Sequence, residues 1–181
     1  MDCNAHESPL APVNLSFMTR QTITVWHLEI TDPAAYQRSP KPLSLSLERV
    51  SHPEPEFARY LYSSVGGPYG WADRLIWTAA EWTARYADPE VELWVANDGH
   101  DPAGYFELER LVGDTVEIAY FGLLPRAVGK GHGGSLLSAA VERAWAMGAR
   151  RVCLHTCSLD HPSALPNYEA RGFKVFRTDS R

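Results

Sequence analysis

Cysteine is scarce in this chain, with three in 181 residues, at Cys3, Cys153 and Cys157. So few and so scattered, they make no disulfide framework and point to a reducing, cytoplasmic setting. Long apolar runs are missing too. No stretch approaches the roughly 18 residues that suggest a membrane span. Positive charge is not in excess either: 17 Lys and Arg stand against 22 Asp and Glu, for a formal net charge of -5. A general nucleic-acid binder needs a basic surface, so that class is excluded. The first residues lack the basic and apolar regions of a secretory signal. The 7 histidines are too dispersed to suggest a metal site.

What is present is the composition of an ordinary soluble domain, 45% hydrophobic and 22% charged. Residues 21–181 are expected to form one domain behind a weakly patterned tail at residues 1–20, in which Met18 is an alternative start. "TITVWHLEI" (22–30) and the alternating "LSLSLERV" (43–50) predict strands. "PEPEFARYLYSSV" and "TAAEWTARYA" predict two helices, the first opened by Pro and Glu. "VELWVAN", "AGYFELERL" and "TVEIAYFGL", separated by "DGHDP" and "GD", predict a three-stranded meander. Leu136, Leu137, Ala140, Val141, Ala144 and Trp145 then recur at helical spacing, stopped by Gly148. "RRVCLHTCS" reads as a buried strand, "HPSALPNYEAR" as a short helix and "FKVFRTDSR" as a last strand.

Between the meander and the long helix lies "LLPRAVGKGHGGSLLSA", with Gly129, Gly131, Gly133 and Gly134 inside six residues. A strand that feeds a helix through glycines makes an anion site. First-turn N–H groups have no intrahelical acceptors, and the helix dipole adds positive potential. A tight turn would need only one such glycine. "GKGHGG" matches the dinucleotide fingerprint, but residues 150–158 supply no acidic ribose ligand. A nucleoside-triphosphate loop needs Gly-Lys followed by Ser or Thr, and here Lys130 is followed by Gly131.

The stretch from "VEIAYFGLLPRAVGKGHGGSLL" to "LDHPSALPNYEARGF" resembles the GNAT superfamily of acyl-CoA-dependent N-acyltransferases, over about residues 90–178. The resemblance implies an α/β (α+β) fold: a mixed, mainly antiparallel sheet flanked by helices, with the acyl-CoA site at the strand–glycine loop–helix junction. It implies that Gly129, Lys130, Gly131, His132, Gly133 and Gly134 surround the CoA pyrophosphate. Phe121, Gly122 and Leu123 then pair by backbone with the pantetheine arm. The family's Gln/Arg position falls on Val128, a departure; Arg126 matches only with the loop shifted. His161 stands where the family has a CoA-contacting asparagine, with Asn167 facing elsewhere. Tyr168 aligns with the tyrosine that protonates the departing thiolate, or is a core tyrosine.

The implied activity is N-acetyl transfer from acetyl-CoA to a primary amine of a small molecule, by direct attack in a ternary complex and without a metal. Alternatives are a non-catalytic acyl-CoA sensor and an acetyltransferase for protein or peptide amines. An ammonium acceptor needs a base. Glu117 is the candidate, sharing a strand face with Ala119, Phe121 and Leu123 by alternation; it is equally readable as a structural carboxylate. Glu107 and Glu109 are weaker candidates. His155 reads as a hydrogen-bonded core residue, and Cys153 or Cys157 as improbable nucleophiles. Tyr60, Tyr62, Tyr69, Trp71, Trp77 and Trp82 line an acceptor pocket or belong to the core. Relatives usually carry one more strand after the last one seen here. The sheet is therefore expected to be a strand short, or its edge covered by a second chain in a homodimer.

Overall fold

In the computed structural model, residues 22–180 are described. The expected tail and Met18 lie outside them. The first strand, β1 (Thr24–Ile30), is followed by a long connection and β2 (Ser46–Arg49). Helix α1 (Pro55–Gly66) starts with proline in its first turn, where no backbone donor is needed. Helix α2 (Ala79–Ala87) starts with a reciprocal cap. The Glu81 N–H donates to Thr78 Oγ1 at 3.3 Å, and the Thr78 N–H donates to the Glu81 carboxylate at 2.6 Å.

The meander is β3 (Val91–Asp98), β4 (Asp101–Leu111) and β5 (Thr115–Leu123), followed by α3 (Gly133–Ala146) and β6 (Arg151–Cys157). Helix α4 (Ala164–Ala170) and strand β7 (Lys174–Ser180) complete the fold. Gly172 ends α4 at φ 95, and a Cβ there would lie 2.2 Å from the Ala35 carbonyl oxygen. Only glycine lets the β1–β2 connection pass that close.

Seven strands form one sheet in the order β2-β3-β4-β5-β6-β1-β7. All neighbours are antiparallel except β5 and β6. The expectation of a sheet one strand short is corrected here. The additional strand comes from the other end of the chain: β1 inserts between β6 and β7, pairing with both. The reason for expecting a second chain over that gap falls with it. No helix among the described residues is long and apolar enough to cross a membrane.

Helices cover the two faces of the sheet separately. One core holds Leu28 and Ile30 of β1, Phe106 and Leu108 of β4 and Val152 and Leu154 of β6 under Leu136, Leu137 and Val141 of α3. The other packs Leu61, Tyr62 and Val65 of α1 and Trp82 of α2 on Leu93, Val95 and Tyr105. Each such aliphatic side chain, fully buried, contributes about 1.5–3 kcal/mol.

Glu107 is the most deeply buried charged residue among the described residues, 1% exposed beneath α2. Arg74 donates two hydrogen bonds to it at 2.8 and 2.9 Å, Arg85 another at 2.6 Å and the Tyr86 hydroxyl one at 2.7 Å. Arg85 also bridges to Glu109 at 2.5 Å. Burial pushes the Glu107 carboxyl up, but the Arg74 hydrogen bonds and the two guanidinium charges outweigh it and hold its pKa below the ordinary value. Glu107 and Glu109 are thus committed to holding α2 and its preceding loop on the sheet, which removes both as base candidates.

Candidate active site

Strands β5 and β6 run parallel for only three residue pairs, the last being Glu117 with Cys153. Beyond it β5 continues to Leu123, still paired with β4, and β6 continues to Cys157, paired with β1. The facing edges of both strands are therefore unpaired from this point, and the sheet opens into a wedge. Backbone groups of Phe121, Gly122 and Leu123 stand along one side of it. An extended, amide-bearing arm can pair with such an edge as a strand would.

The glycine loop stands at the wide end of the wedge. Gly129 and Gly131 adopt φ 80 and 83, a left-handed conformation that turns the chain into α3. The N–H groups of Gly133, Gly134 and Ser135 open the helix with no backbone acceptor among the described residues. Asn167, set aside by sequence reasoning, donates through Nδ2 to the Gly133 carbonyl at 3.3 Å, tying α4 to the loop. Arg171 reaches Gly134, where a Cβ would lie 2.7 Å from Nη1.

The β1–β2 connection crosses the same spot. The Ser39 N–H donates to Ser138 Oγ at 2.9 Å, and the Tyr36 hydroxyl donates to Glu142 at 3.0 Å, so the connection is strapped along α3. That brings Lys41 Nζ to 3.3 Å from where a Cβ on Gly131 would sit. His132 contacts Ser44 of the same strap, Nδ1 to Oγ, at 3.4 Å. Free N–H donors, a helix N-terminus and the Lys41 and Arg171 cations make a site fitted to a diphosphate. Neither cation had a signal in sequence, because their approach depends on where β1 lies. Arg126 does not join them. It is held by the Pro102 carbonyl at 2.6 Å and by Asp101 at 2.9 Å.

Tyr168 stands on the α3–α4 side of the wedge, 7% exposed, its ring 6.1 Å from that of Phe121. Its hydroxyl has no hydrogen-bond partner among the described residues. Burial, and after it the charge of Asp160, raises its pKa well above that of a free phenol. It therefore stays protonated at neutral pH.

Glu117 stands on the opposite face, and this corrects the alternation expected along β5. Glu107 pairs with Tyr120 and Leu108 with Ile118, so Ala119 is an extra residue, a β-bulge. Past a bulge the inward and outward sides exchange. Val116, Ile118, Phe121 and Leu123 therefore face α3. Tyr120 packs against the α1–α2 core, and a Cβ on Gly122 would meet Val65 of α1. Glu117 belongs to that second face, so it and Tyr168 flank the wedge from opposite sides of the sheet.

His155 is a second correction, because its side chain is 54% exposed rather than part of the core. Its Nδ1 lies 3.3 Å from Glu117 Oε1. Asp160 receives the Thr156 hydroxyl at 2.6 Å and the Trp71 Nε1–H at 3.4 Å. Asp73 accepts hydrogen bonds from the Tyr62 and Tyr120 hydroxyls. Burial raises the Asp73 pKa, and the Tyr120 and Tyr62 hydrogen bonds, with a backbone hydrogen bond and the Arg74 charge, more than reverse that, so it is held ionised. Three carboxylates thus gather around His155, with Asp160 bonded to Trp71 and Asp73 to Tyr120, whose rings are 5.0 Å apart, in one acidic, aromatic cluster. His161 stands at its rim against Tyr69, rings 6.1 Å apart, and accepts the Ser163 N–H at 3.1 Å. Trp77 and Trp82 lie deeper, beside the Arg74 guanidinium. Burial, and the charge of Glu117 after it, pushes the Cys153 thiol up to about 11, which makes it inert as a nucleophile at neutral pH.

Residues 54–173 match the model of the acetyltransferase (GNAT) family. The chain belongs to that family. Solved structures agree on the fold, a mixed seven-stranded, mostly antiparallel sheet flanked by helices. A GCN5-related N-acetyltransferase from Sphaerobacter thermophilus is 19% identical with a TM-score of 0.62, over 87% of this chain and 50% of that one. An IAA acetyltransferase from Bacillus cereus is 24% identical with a TM-score of 0.56, over 74% and 79%. A conserved protein of unknown function from Staphylococcus epidermidis is 20% identical with a TM-score of 0.58, over 88% and 60%. The chain spans 50% to 63% of the length of the first four structures it matches. No curated protein matches it in sequence. Membership in the GNAT family supports acyl transfer as the chemistry.

Proposed function

We propose that the protein transfers an acetyl group from acetyl-CoA to the primary amine of a small cationic molecule, by direct attack with both substrates bound. The observation that carries this reading is the wedge at Glu117, flanked by an ionisable carboxylate on one face and an unpartnered phenol on the other. The glycine loop, Lys41 and Arg171 would hold the CoA diphosphate. The free edge of Phe121–Leu123 would align the pantetheine arm, which sets the thioester between Glu117 and Tyr168.

The acidic cluster on the α1–α2 face then receives the acceptor. Asp73, Glu117 and Asp160 attract an ammonium, and Trp71 and Tyr120 offer ring faces to it. An ammonium has no lone pair, so Glu117 takes one of its protons, directly or through a water. The freed amine attacks the thioester carbonyl, the C–N bond forms, the C–S bond breaks, and the nitrogen gives its surplus proton to water, leaving the neutral amide. Tyr168 gives its hydroxyl proton to the departing sulfur and is reprotonated from solvent. Much of the acceleration comes from holding both substrates in reacting geometry.

Mass spectrometry of a library of small amines incubated with the protein and acetyl-CoA tests the reading. Acetylated products that need the protein, favouring polycationic acceptors, are expected. Tight CoA binding with no product from any amine would identify a non-catalytic acyl-CoA sensor instead.

A further inference from the structure

We infer that His155 is the outlet through which the proton taken from the acceptor amine leaves Glu117. The inference rests on the proposed acyl transfer and adds one residue to it. Glu117 ends the parallel pairing of β5 with β6, and His155 lies two residues past the matching point on β6. The strands have parted there, so the imidazole reaches across the mouth of the wedge. Its Nδ1 is 3.3 Å from Glu117 Oε1, and its side chain is twice as exposed as that of Glu117, 54% against 26%. Nε2 has no partner among the described residues. The ring therefore connects a half-buried carboxylate with bulk water.

An imidazole accepts a proton at one nitrogen and releases one from the other. An N–H bond of the ammonium breaks and an O–H bond forms on Glu117. That O–H then breaks as Nδ1 gains its proton, and Nε2 gives its own to water. A carboxylic acid is ordinarily a stronger acid than an imidazolium, so the proton passes towards the ring. Glu117 is thereby returned to its basic form while the acceptor is still bound. The outlet works only from neutral His155, because an imidazolium has no free lone pair.

The groups facing His155 set the pH at which that holds. Glu117 approaches from β5, Asp160 from the loop after β6 and Asp73 from the α1–α2 connection. The His27 ring of β1 lies 6.0 Å away, with Arg177 and Asp179 of β7 bound on its far side. Cys153 and Cys157 flank His155 on its own strand. The Glu117 hydrogen bond, followed by the three carboxylate charges, raises the His155 pKa against the opposing effect of burial. The acid limb of kcat/KM should therefore lie above about 6.5, as a titration of the coupled pair.

The test compares pH–rate profiles of the wild type, His155→Gln and His155→Ala with one acceptor, alongside their melting temperatures. Glutamine still donates a hydrogen bond to Glu117 but cannot relay. His155→Gln should lose kcat about a hundredfold and lose the raised inflexion, with the KM for acetyl-CoA unchanged. His155→Ala should regain rate as imidazole is added, which a purely structural histidine would not allow. An active wild type whose profile His155→Gln reproduces overturns the outlet alone. A wild type that acetylates no amine overturns the acyl transfer, and the outlet with it.

Discussion

The Tyr168 ring is buried and its hydroxyl has no partner among the described residues, so loss of that hydroxyl should register in chemistry and not in packing. Tyr168→Phe keeps the ring against Phe121 and Phe173. It should lower kcat by about 10²–10⁴-fold while the Kd for acetyl-CoA, measured by calorimetry, stays the same. Glu107 should behave in the opposite way. Glu107→Gln leaves Arg74 and Arg85 buried without their common counter-charge, and is expected to cost about 3–5 kcal/mol in denaturant unfolding. Because folding lowers the Glu107 pKa, its contribution is complete above the unfolded value of about 4.3 and is lost as pH falls through the folded value. The acid limb of stability below pH ~4 should flatten in the variant.

At the scale of elements, the glycine loop and the strap over it act as one binding unit. Gly131→Asp places a negative charge and a Cβ where φ is 83, at the point Lys41 reaches. CoA binding should collapse while far-UV circular dichroism is unchanged. Lys41→Ala should weaken CoA binding and soften its salt dependence, yet leave affinity for a pantetheine lacking phosphates as it was. The loop and most helices were legible in sequence because each is written locally, in capping residues, glycines and 3.6-residue spacing. The bulge at Ala119 was not, since neither glycine nor proline marks it and its effect depends on pairing with β4. That one residue moved Glu117 to the other face. The Arg74–Glu107–Arg85 cluster and the exposure of His155 were hidden for the same reason: both depend on what the neighbouring strand brings. Lys41 and Asn167 became site residues only once β1 and α4 had their places.

For the whole molecule the sheet order is the governing fact. β1 is an interior strand, bonded to β6 on one side and β7 on the other. Deleting residues 22–30 should therefore unfold the right-hand half of the sheet and expose Leu154 and Val152, read as loss of cooperative melting and binding of a hydrophobic dye. During synthesis this strand emerges before either of its neighbours, and it is seated only once both β6 and β7 have been made. Folding is expected to be slow and rich in long-range contacts for a domain of this size. Thr24 lies directly opposite Ser180 in the antiparallel ladder. A two-residue hairpin turn spans such a pair. A circular permutant that begins in the strap and carries residues 24–30 after residue 180 would make the last-needed strand the last one synthesised, and should refold faster than the parent.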